Sequence, residues 1–383
     1  MVAKFRAIIL ILVMIFFTLP LSATDDLAPP AVDYEKEYNS FISSIPDEIA
    51  ELLPRGIFSE DVTERTEAVT ELTEPVGFLG IILDMLGFYM KDALGMFARL
   101  MALVLLSALA HAMFGSMGNK ALREPFSLCT TAAIVAAVIG EQTEMIRMAD
   151  QFLERLLTLV NSMIPLIGVL YAAGGNVSTA AAGTASLSLF LSICENLCGI
   201  TLMPAVGICL AFSAASAFSS HLSLGEISGT FKRMYTYGLG LLMAIMALVM
   251  GMQNQLTAKA DSLSARAAKY AVGSFIPVVG GAVGDSLRTV AASVEYIRSA
   301  VGGIAIIVII ILLLPPLISL ALGRSAVNIS SSAAKMMGCE REGRLLSEIG
   351  NIYGYMMAVC SICSVIFIYA LTLFIRCSAA AGG

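Results

Sequence analysis

The sequence predicts an all-α polytopic helical membrane protein, with a two-fold internal repeat and two broken or re-entrant segments. Only 14% of the 383 residues are charged, 58% are hydrophobic and the mean hydropathy is +0.85, whereas a soluble protein carries roughly 25% charged residues. Uncharged runs at 234–258, 300–323 and 349–375 are each long enough to cover the ~20 residues that a bilayer-spanning helix needs. The composition and these runs together predict a protein built for lipid.

The first 23 residues have the pattern of a secretory signal. Lys4 and Arg6 precede the apolar run AIILILVMIFFTL, Pro20 follows it, and a stretch of small residues ends at Ala23. A basic start, an apolar core and a small-residue exit are typical of a signal peptide. An uncleaved first transmembrane helix is the alternative. Under either interpretation the segment that follows crosses the membrane.

Residues 24–75 are predicted to form an acidic, extracytoplasmic arm. They hold 14 Asp and Glu residues against three Lys and Arg, so their charge of −11 exceeds the −6 of the whole chain. This charge argues against nucleic acid as a partner, because phosphate binding requires clustered Lys and Arg. The stretch IPDEIAELL predicts a short amphipathic helix with Pro46 near its first turn. About fifty residues suffice for a cap or a docking arm, but hardly for a catalytic domain.

The remainder is predicted to form a multi-pass transmembrane domain over residues 93–376. Residues 76–92, which precede it, are apolar with three charged residues, a pattern typical of an interfacial helix. The positive-inside rule places the arm outside and a polar loop at 323–353 in the cytoplasm. Candidate spans lie near 93–115, 125–140, 186–220 (one long or two short), 235–252, 300–322 and 354–376.

Two apolar segments, 157–175 and 271–284, contain proline and glycine and therefore predict interrupted helices. SMIPLIG at 162–168 matches SFIPVVG at 274–280 with an offset of 112 residues. Proline removes a helix hydrogen bond, and glycine weakens a helix by about 1 kcal/mol relative to alanine. Whether the two segments span the membrane or re-enter it is left open by the sequence.

The same offset pairs Pro204 with Pro316, inside the next hydrophobic segment of each half. We interpret these matches as a two-fold repeat with halves at about 155–252 and 268–376. Chance similarity between apolar segments is the alternative. If the broken segments re-enter, the halves are parallel; if they span, the halves are inverted, and the count of basic residues does not distinguish the two.

The broken segments supply the candidate pathway or gating residues. Free backbone groups in lipid cost several kcal/mol unless protein or water satisfies them, so such segments belong inside the bundle. Paired interruptions mark the substrate site in transporters, and a plain structural kink is the alternative. The candidates are Pro165, Gly168, Pro277, Gly280, Gly281, Gly284 and Asp285. Asp285 has a second interpretation, as the N-cap of a following helix SLRTVAASVEYI.

Glu195 and His111 are ionisable residues in apolar segments, which makes them weak functional candidates. His111 is more typical of hydrogen-bonded packing than of a proton relay, and Glu195 of a turn between short helices than of a cation site. His111 and His221 lie on different segments, so neither a zinc site nor a Ser-His pair is predicted. No phosphate-binding loop motif occurs. We therefore predict no catalytic, cofactor-binding or metal site.

The block AKYAVGSFIPVVGGAVGDSLRTVAASVEYIRSAVGG at 268–303, after a signal-like start and an acidic arm, resembles the stage III sporulation protein AE family of endospore-forming bacteria. The central IPVVGG…D…G signature is its most specific part, and the earlier SMIPLIG is similar too. The resemblance covers about residues 35–376.

The resemblance implies a multi-pass protein of the mother-cell membrane around the forespore, similar in role to the export gate of a secretion system. The implied partners are other stage III A complex proteins, including a secretion-type ATPase and ring-forming subunits, and the forespore protein Q. The family has no assigned catalytic residues, so none is transferred, and the missing nucleotide motif agrees with an ATPase partner.

The resulting hypothesis is a non-enzymatic channel or permease-like subunit of the mother-cell to forespore transport complex. One alternative is a structural membrane scaffold of that complex. Another is an independent secondary transporter that uses Glu195 or Asp285 for ion coupling.

Overall fold

The computed structural model describes most of the chain from residue 34 onward. The described residues are 34–51, 53–59, 64, 68, 75–116, 120–173, 177–194, 196, 202–218, 227–242, 244–245, 247–249, 251–252 and 280–376, with the backbone alone over 280–296. The signal-like stretch 1–23 and Pro277 lie outside them. Residues 34–383 form one compact unit, and every regular element among the described residues is helical. The predicted all-α class is therefore confirmed.

The arm folds into short helices that bury one apolar face. Helix α1 (Tyr34–Ser43) is followed by the one-turn helix α2 (Asp47–Ala50) and a 3-10 turn (Arg55–Phe58). Helix α2 begins directly after Pro46, as predicted. The Tyr38 hydroxyl donates a 2.9 Å hydrogen bond to the Ile57 carbonyl, which joins α1 to the 3-10 turn. The buried side chains are Tyr38, Phe41, Ile45, Ile49, Leu53 and Ile57.

Four long helices form the body of the molecule: α3 (Pro75–Ser116), α4 (Lys120–Ala173), α8 (Gly280–Met336) and α9 (Glu340–Arg376). Each contains a stretch long and apolar enough to cross a membrane. With 37 to 57 residues, they measure roughly 55 to 85 Å at 1.5 Å per residue. A bilayer core is ~30 Å thick, so these helices extend well beyond a single crossing.

Three shorter helices complete the described fold. Helices α5 (Val177–Cys194) and α6 (Leu202–Phe218) show that the candidate span 186–220 is two short helices. Helix α7 covers residues 227–242, and the described residues up to 252 continue it. The arm packs on α4, while α9 packs on α8, α4 and α6. The most extensive packing is between α8 and α9, so these two helices form the centre of the bundle.

A tight turn joins α8 to α9. Gly338 has a left-handed φ of 79°, a conformation that costs a side-chain-bearing residue roughly 1–2 kcal/mol. The Gly338 amide donates a hydrogen bond to the Lys335 carbonyl, and the Cys339 amide donates one to the Ala334 carbonyl. This pair of hydrogen bonds is a Schellman motif, which satisfies carbonyls at the end of a helix. The predicted cytoplasmic loop 323–353 is therefore wrong as a loop: it is two helix ends and a turn.

Two predicted divisions of the chain are absent. Helix α3 runs from Pro75 to Ser116 without a break, so no separate interfacial helix ends at residue 92. Helix α4 is likewise continuous through Pro165, although the segment 157–175 was predicted to be interrupted. Proline costs a helix interior about 3 kcal/mol, but each fully buried large apolar side chain contributes roughly 1.5–3 kcal/mol. Buried apolar side chains lie on both sides of Pro165, and their burial outweighs the cost of the proline. They are Met163, Leu166, Ile167 and Leu170.

The helix boundaries do not repeat with the 112-residue offset. Gly168 lies near the end of α4, whereas its counterpart Gly280 is the first residue of α8. Pro204 lies in the first turn of α6, whereas Pro316 lies in the middle of α8. Residues that match in the two halves of the sequence therefore lie at different positions within their helices, as far as the structure describes them.

Candidate functional site

The predicted candidates on α4 take part in packing. Pro165 lies on the exposed side of the helix. A Cβ at Gly168 would lie 3.2 Å from the Thr184 methyl of α5, so the glycine permits close helix contact. The Ser162 hydroxyl lies 2.8 Å from the Ser44 hydroxyl. The SMIPLIG segment thus joins α4 to α5 and to the arm.

The second group of candidates is only partly described. Gly280, Gly281 and Gly284 lie in the first turns of α8. Asp285 is also inside this helix, so its predicted role as an N-cap is wrong: the helix begins five residues earlier. Pro277 and Glu195 lie outside the described residues.

A polar cluster that the sequence did not predict lies where α3, α4 and α9 meet. The Glu342 side chain, on a residue only 1% exposed, accepts hydrogen bonds at one oxygen from Ser107 of α3 (2.9 Å) and from Thr130 of α4 (3.1 Å). The two hydroxyls are 3.3 Å apart. Three helices therefore converge on one carboxylate oxygen.

The position of Glu342 explains how a carboxylate is held there. It lies in the first turn of α9, where the unpaired amides and the helix dipole favour a negative charge. Hydrogen bonds to an ionised acceptor are about twice as strong as neutral ones. The hydroxyl bonds and the helix end together offset the cost of burying the group.

His111 and Cys339 border this cluster. The His111 Nδ1 lies 2.9 Å from the Ser107 carbonyl oxygen, and because a carbonyl only accepts, Nδ1 carries the proton. The Cys339 sulfur lies 3.9 Å from the same nitrogen. Burial raises the pKa of the Cys339 thiol, the nearby Glu342 charge raises it further, and a hydrogen bond with Ser107 lowers it. This geometry agrees with the packing interpretation of His111.

A second charged residue of α9 is fixed by another helix. Lys232 of α7 lies 3.5 Å from the Glu348 carboxylate, with side chains only 8% and 27% exposed. Tyr235 and Tyr355 pack edge to face nearby, with ring centroids 5.6 Å apart. Lys232 is thus a helix residue in the bundle and not a loop residue, which removes it from the count of basic loop residues used for the topology.

Sequence reasoning missed Glu342 because it stands in the charged stretch CEREGR, which has the composition of an exposed loop. One signal was present. Glu342 shares its helix face with the buried residues Leu345, Leu346 and Ile349, at the spacing i, i+3, i+4 and i+7 of an inward-facing stripe. A carboxylate on such a stripe indicates burial.

This arrangement can hold helices together and stabilise a charge. Among the described residues, no group of three or more His, Cys, Asp or Glu side chains could hold a metal ion.

Two comparisons with known proteins point to one family. A family model described as "Stage III sporulation protein AE (spore_III_AE)" matches residues 68–378, which include all four long helices. A curated relative named "Stage III sporulation protein AE", from Bacillus subtilis (strain 168), is 21% identical over 230 residues.

That alignment covers 60% of this chain and 58% of the relative, less than two thirds of its length. No solved structure matches the chain significantly. Because the family match extends over most of the sequence, the chain belongs to the stage III sporulation protein AE family.

Proposed function

We propose that this protein is a non-enzymatic, channel or permease-like subunit of the transport complex between mother cell and forespore. The observation that carries the proposal is the family match over residues 68–378, which includes the four helices of the described residues that are able to cross a membrane. Its proposed location is the mother-cell membrane around the forespore, reached through the signal-like residues 1–23.

The proposed partners are the other stage III A complex proteins, among them a secretion-type ATPase and ring-forming subunits, and the forespore protein Q. The acidic arm would meet partners on the extracytoplasmic side. Its apolar face is already buried, which leaves acidic side chains such as Glu35, Asp47 and Glu51 exposed for such contacts.

The test separates a transport path from a scaffold. In an endospore-forming host that lacks its own family member, the chain is supplied as wild type or as the double variant Gly280→Leu, Gly281→Leu. Late forespore gene expression reports transport, and co-purification of the partners reports assembly. Gly140→Leu on α4 is the matched control, because a Cβ at Gly140 would meet nothing within 4 Å.

We expect the double variant to abolish the reporter signal while the partners still co-purify. Loss of both signals would favour the scaffold and contradict the proposal. Ion-driven uptake by the purified chain in vesicles, without partners, would identify an independent transporter and would also contradict it.

A further inference from the structure

Helices α3 and α8 run side by side toward the same end of the bundle. Residues of the two helices that contact each other therefore lie at the same depth along the bundle. The Tyr353 hydroxyl of α9 lies 3.9 Å from the Met96 sulfur of α3, and a Cβ at Gly323 of α8 would be 3.7 Å from the Met96 methyl. Further along, Glu342 meets Ser107 and Cys339 meets His111. Residues 96–111 of α3 therefore lie level with residues 323–339.

At this depth the outer face of α3 is apolar. Four of its large side chains are each at least half exposed: Leu105, Leu106, Leu109 and Met113. No charged residue occurs on α3 after Arg99. A helix face of this kind is suited to lipid.

At the same depth the outer face of α8 is largely polar. Its exposed residues are Arg324, Ser325, Asn328, Ser332 and Lys335, with the apolar Ile329 and Met336 among them. The side chains of Arg324, Asn328 and Lys335 lie along the edge of this face that borders α9. The stretch 324–335 contains no acidic residue, so this face carries positive charge. The leucine face beside it lies within the candidate membrane span Gly80–Met113, and residues 324–335 are the last part of the range Ala300–Met336, whose 37 residues are more than one crossing needs.

The polar, charged face of α8 would be costly to expose to lipid at the depth of the leucine face of α3. Charged side chains inside a membrane line water-filled cavities or pair with other protein groups. We infer that the face of α8 from Arg324 to Lys335 lines a water-filled path on the side of the bundle away from the leucine face of α3, and that this path favours small anionic solutes. Basic side chains along a pore select anions. The inference deepens the proposed channel role and rests on it, and it adds this 324–335 face to Gly280 and Gly281, which lie at the other end of the same helix.

The test is the reactivity of introduced cysteines toward small charged thiosulfonate reagents in membrane fragments from sporulating cells, open on both sides. Asn328→Cys and Ser332→Cys probe the α8 face, and Leu105→Cys and Leu109→Cys are matched controls at the same depth on α3. Ser325→Cys and Leu106→Cys replace any variant that does not accumulate. Thiolate, which forms in water, is the reacting species, so we expect at least about tenfold faster reaction on α8 than on α3.

The charge preference has its own measurement. The labelling rate of Asn328→Cys is measured with an anionic and with a cationic reagent. Each rate is divided by the rate of the same reagent with a free thiol in solution, which removes differences in intrinsic reactivity. We expect the anionic reagent to be favoured, because fixed charge raises the local concentration of counter-ions by about tenfold or more. The added substitutions Arg324→Gln and Lys335→Gln should lower that preference at least about threefold.

Equal, fast reaction on both helices would place this level outside the bilayer and overturn the inference. Slow reaction on both would show a covered or lipid-facing α8 surface and would also overturn it. A cationic preference would overturn the assignment of anionic solutes. Labelling reports water contact and not transport, so its failure is distinguishable from failure of the sporulation test.

Discussion

At the scale of single residues, the carboxylate of Glu342 is the polar group at which side chains of three helices meet. Ser107 and Thr130 donate to one of its oxygens, while the start of α9 supplies a favourable field. The cluster lies among otherwise apolar buried residues, where an unpaired polar group would be costly. Its contribution should therefore exceed that of an acidic residue on the surface.

Glu342→Gln tests this contribution. Glutamine keeps the shape and an acceptor oxygen but removes the charge, so we expect a loss of about 1–3 kcal/mol in the free energy of unfolding. The measurement is the thermal unfolding midpoint of the purified protein in detergent. Glu340→Gln is the matched control, since Glu340 is exposed in the same turn. A midpoint shift no larger than that of Glu340→Gln would contradict the assigned role.

Cys339 should be a protected thiol at neutral pH. Its raised pKa, caused mainly by burial, keeps the unreactive protonated form. Because the pKa is raised in the folded state, the protonated thiol stabilises the fold below the ordinary cysteine pKa, and this stabilisation is lost as the pH rises through the raised value.

Peptide mass spectrometry after maleimide treatment at pH 7 to 9 measures this protection. The control is Met336→Cys, three residues earlier and 88% exposed in the native protein. We expect the introduced cysteine to react throughout the range and Cys339 to react slowly until the protein is unfolded. Equal rates at pH 7 would show that Cys339 is accessible.

At the scale of elements, glycines set the distance between α8 and α9. A Cβ at Gly343 would lie 2.6 Å from the Lys335 Cγ and 3.1 Å from the Ser331 carbonyl oxygen of α8, and one at Gly350 would overlap the Asn328 amide. The Ser331 hydroxyl donates a 2.6 Å hydrogen bond to the Gly343 carbonyl across the same contact. Small residues at helix contacts in membranes allow this close approach of backbones.

Gly350→Ala is expected to destabilise the protein at the low end of the roughly 1–3 kcal/mol that overpacking costs, because the overlapping Asn328 amide is the end of an exposed side chain that can shift. Asn328→Ala in the same chain removes the overlapping amide and should restore part of the loss. Gly183→Ala is the control, because its Cβ would meet nothing within 4 Å and alanine favours a helix by up to about 1 kcal/mol. Unfolding midpoints in detergent measure all four proteins. An undiminished loss in the double variant would rule out Asn328 as the obstacle.

The arm is held mainly by apolar burial. The Glu48–Arg155 ion pair is short, at 2.7 Å, but both side chains are well exposed, and such pairs contribute about 0–1 kcal/mol. Phe41 is fully buried, and replacing a buried phenylalanine by alanine costs about 3–5 kcal/mol.

Limited proteolysis should therefore cut within residues 34–58 much faster in Phe41→Ala than in the wild type, because the arm detaches more often. Glu48→Gln should behave nearly as the wild type. The reverse order would show that the ion pair, and not the apolar face, holds the arm on α4.

At the scale of the whole molecule, the α8–α9 turn and the adjoining part of α3 lie at one end of the bundle. Cys339 contacts His111 there. The arm contacts α4 at Arg155 and Ser162, more than twenty residues from Thr130, and so lies away from that turn. Four basic residues lie between 324 and 344, and from them the positive-inside rule predicts a cytoplasmic turn.

An impermeant maleimide applied to intact cells checks this orientation in cells that express the chain without sporulating, because the reagent does not reach the proposed membrane around the forespore. Ser43→Cys, exposed on the arm, should be labelled, and Met336→Cys, exposed at the α8–α9 turn, should be labelled only after the cells are opened. Labelling of both in intact cells, or of Met336→Cys alone, would contradict an extracytoplasmic arm.

Local composition was enough to predict much of this molecule. Apolar runs of twenty or more residues predict membrane helices because lipid admits few charges, and the spans within α8 and α9 follow from 300–323 and 349–375. Pro46 at the start of α2 follows from the fixed φ of proline. The family resemblance, which rests on residues 268–303, is confirmed by the family match.

The sequence-based predictions were wrong where contacts between distant residues determine the local structure. Proline at 165 was expected to interrupt a helix, yet buried neighbours hold α4 continuous. Charges at 340–348 were expected in a loop, yet Glu342 is enclosed by α3 and α4, and Glu348 pairs with Lys232.

The sequence alone determined that this chain is a helical membrane protein of its family, because hydrophobicity and local motifs act over a few turns. Only the tertiary structure decided which charged residues are buried, which glycines face a neighbouring helix and which face of α8 stays polar. Those properties depend on contacts between residues hundreds of positions apart, such as Ser107 and Glu342. The local sequence pattern around each residue does not predict such contacts.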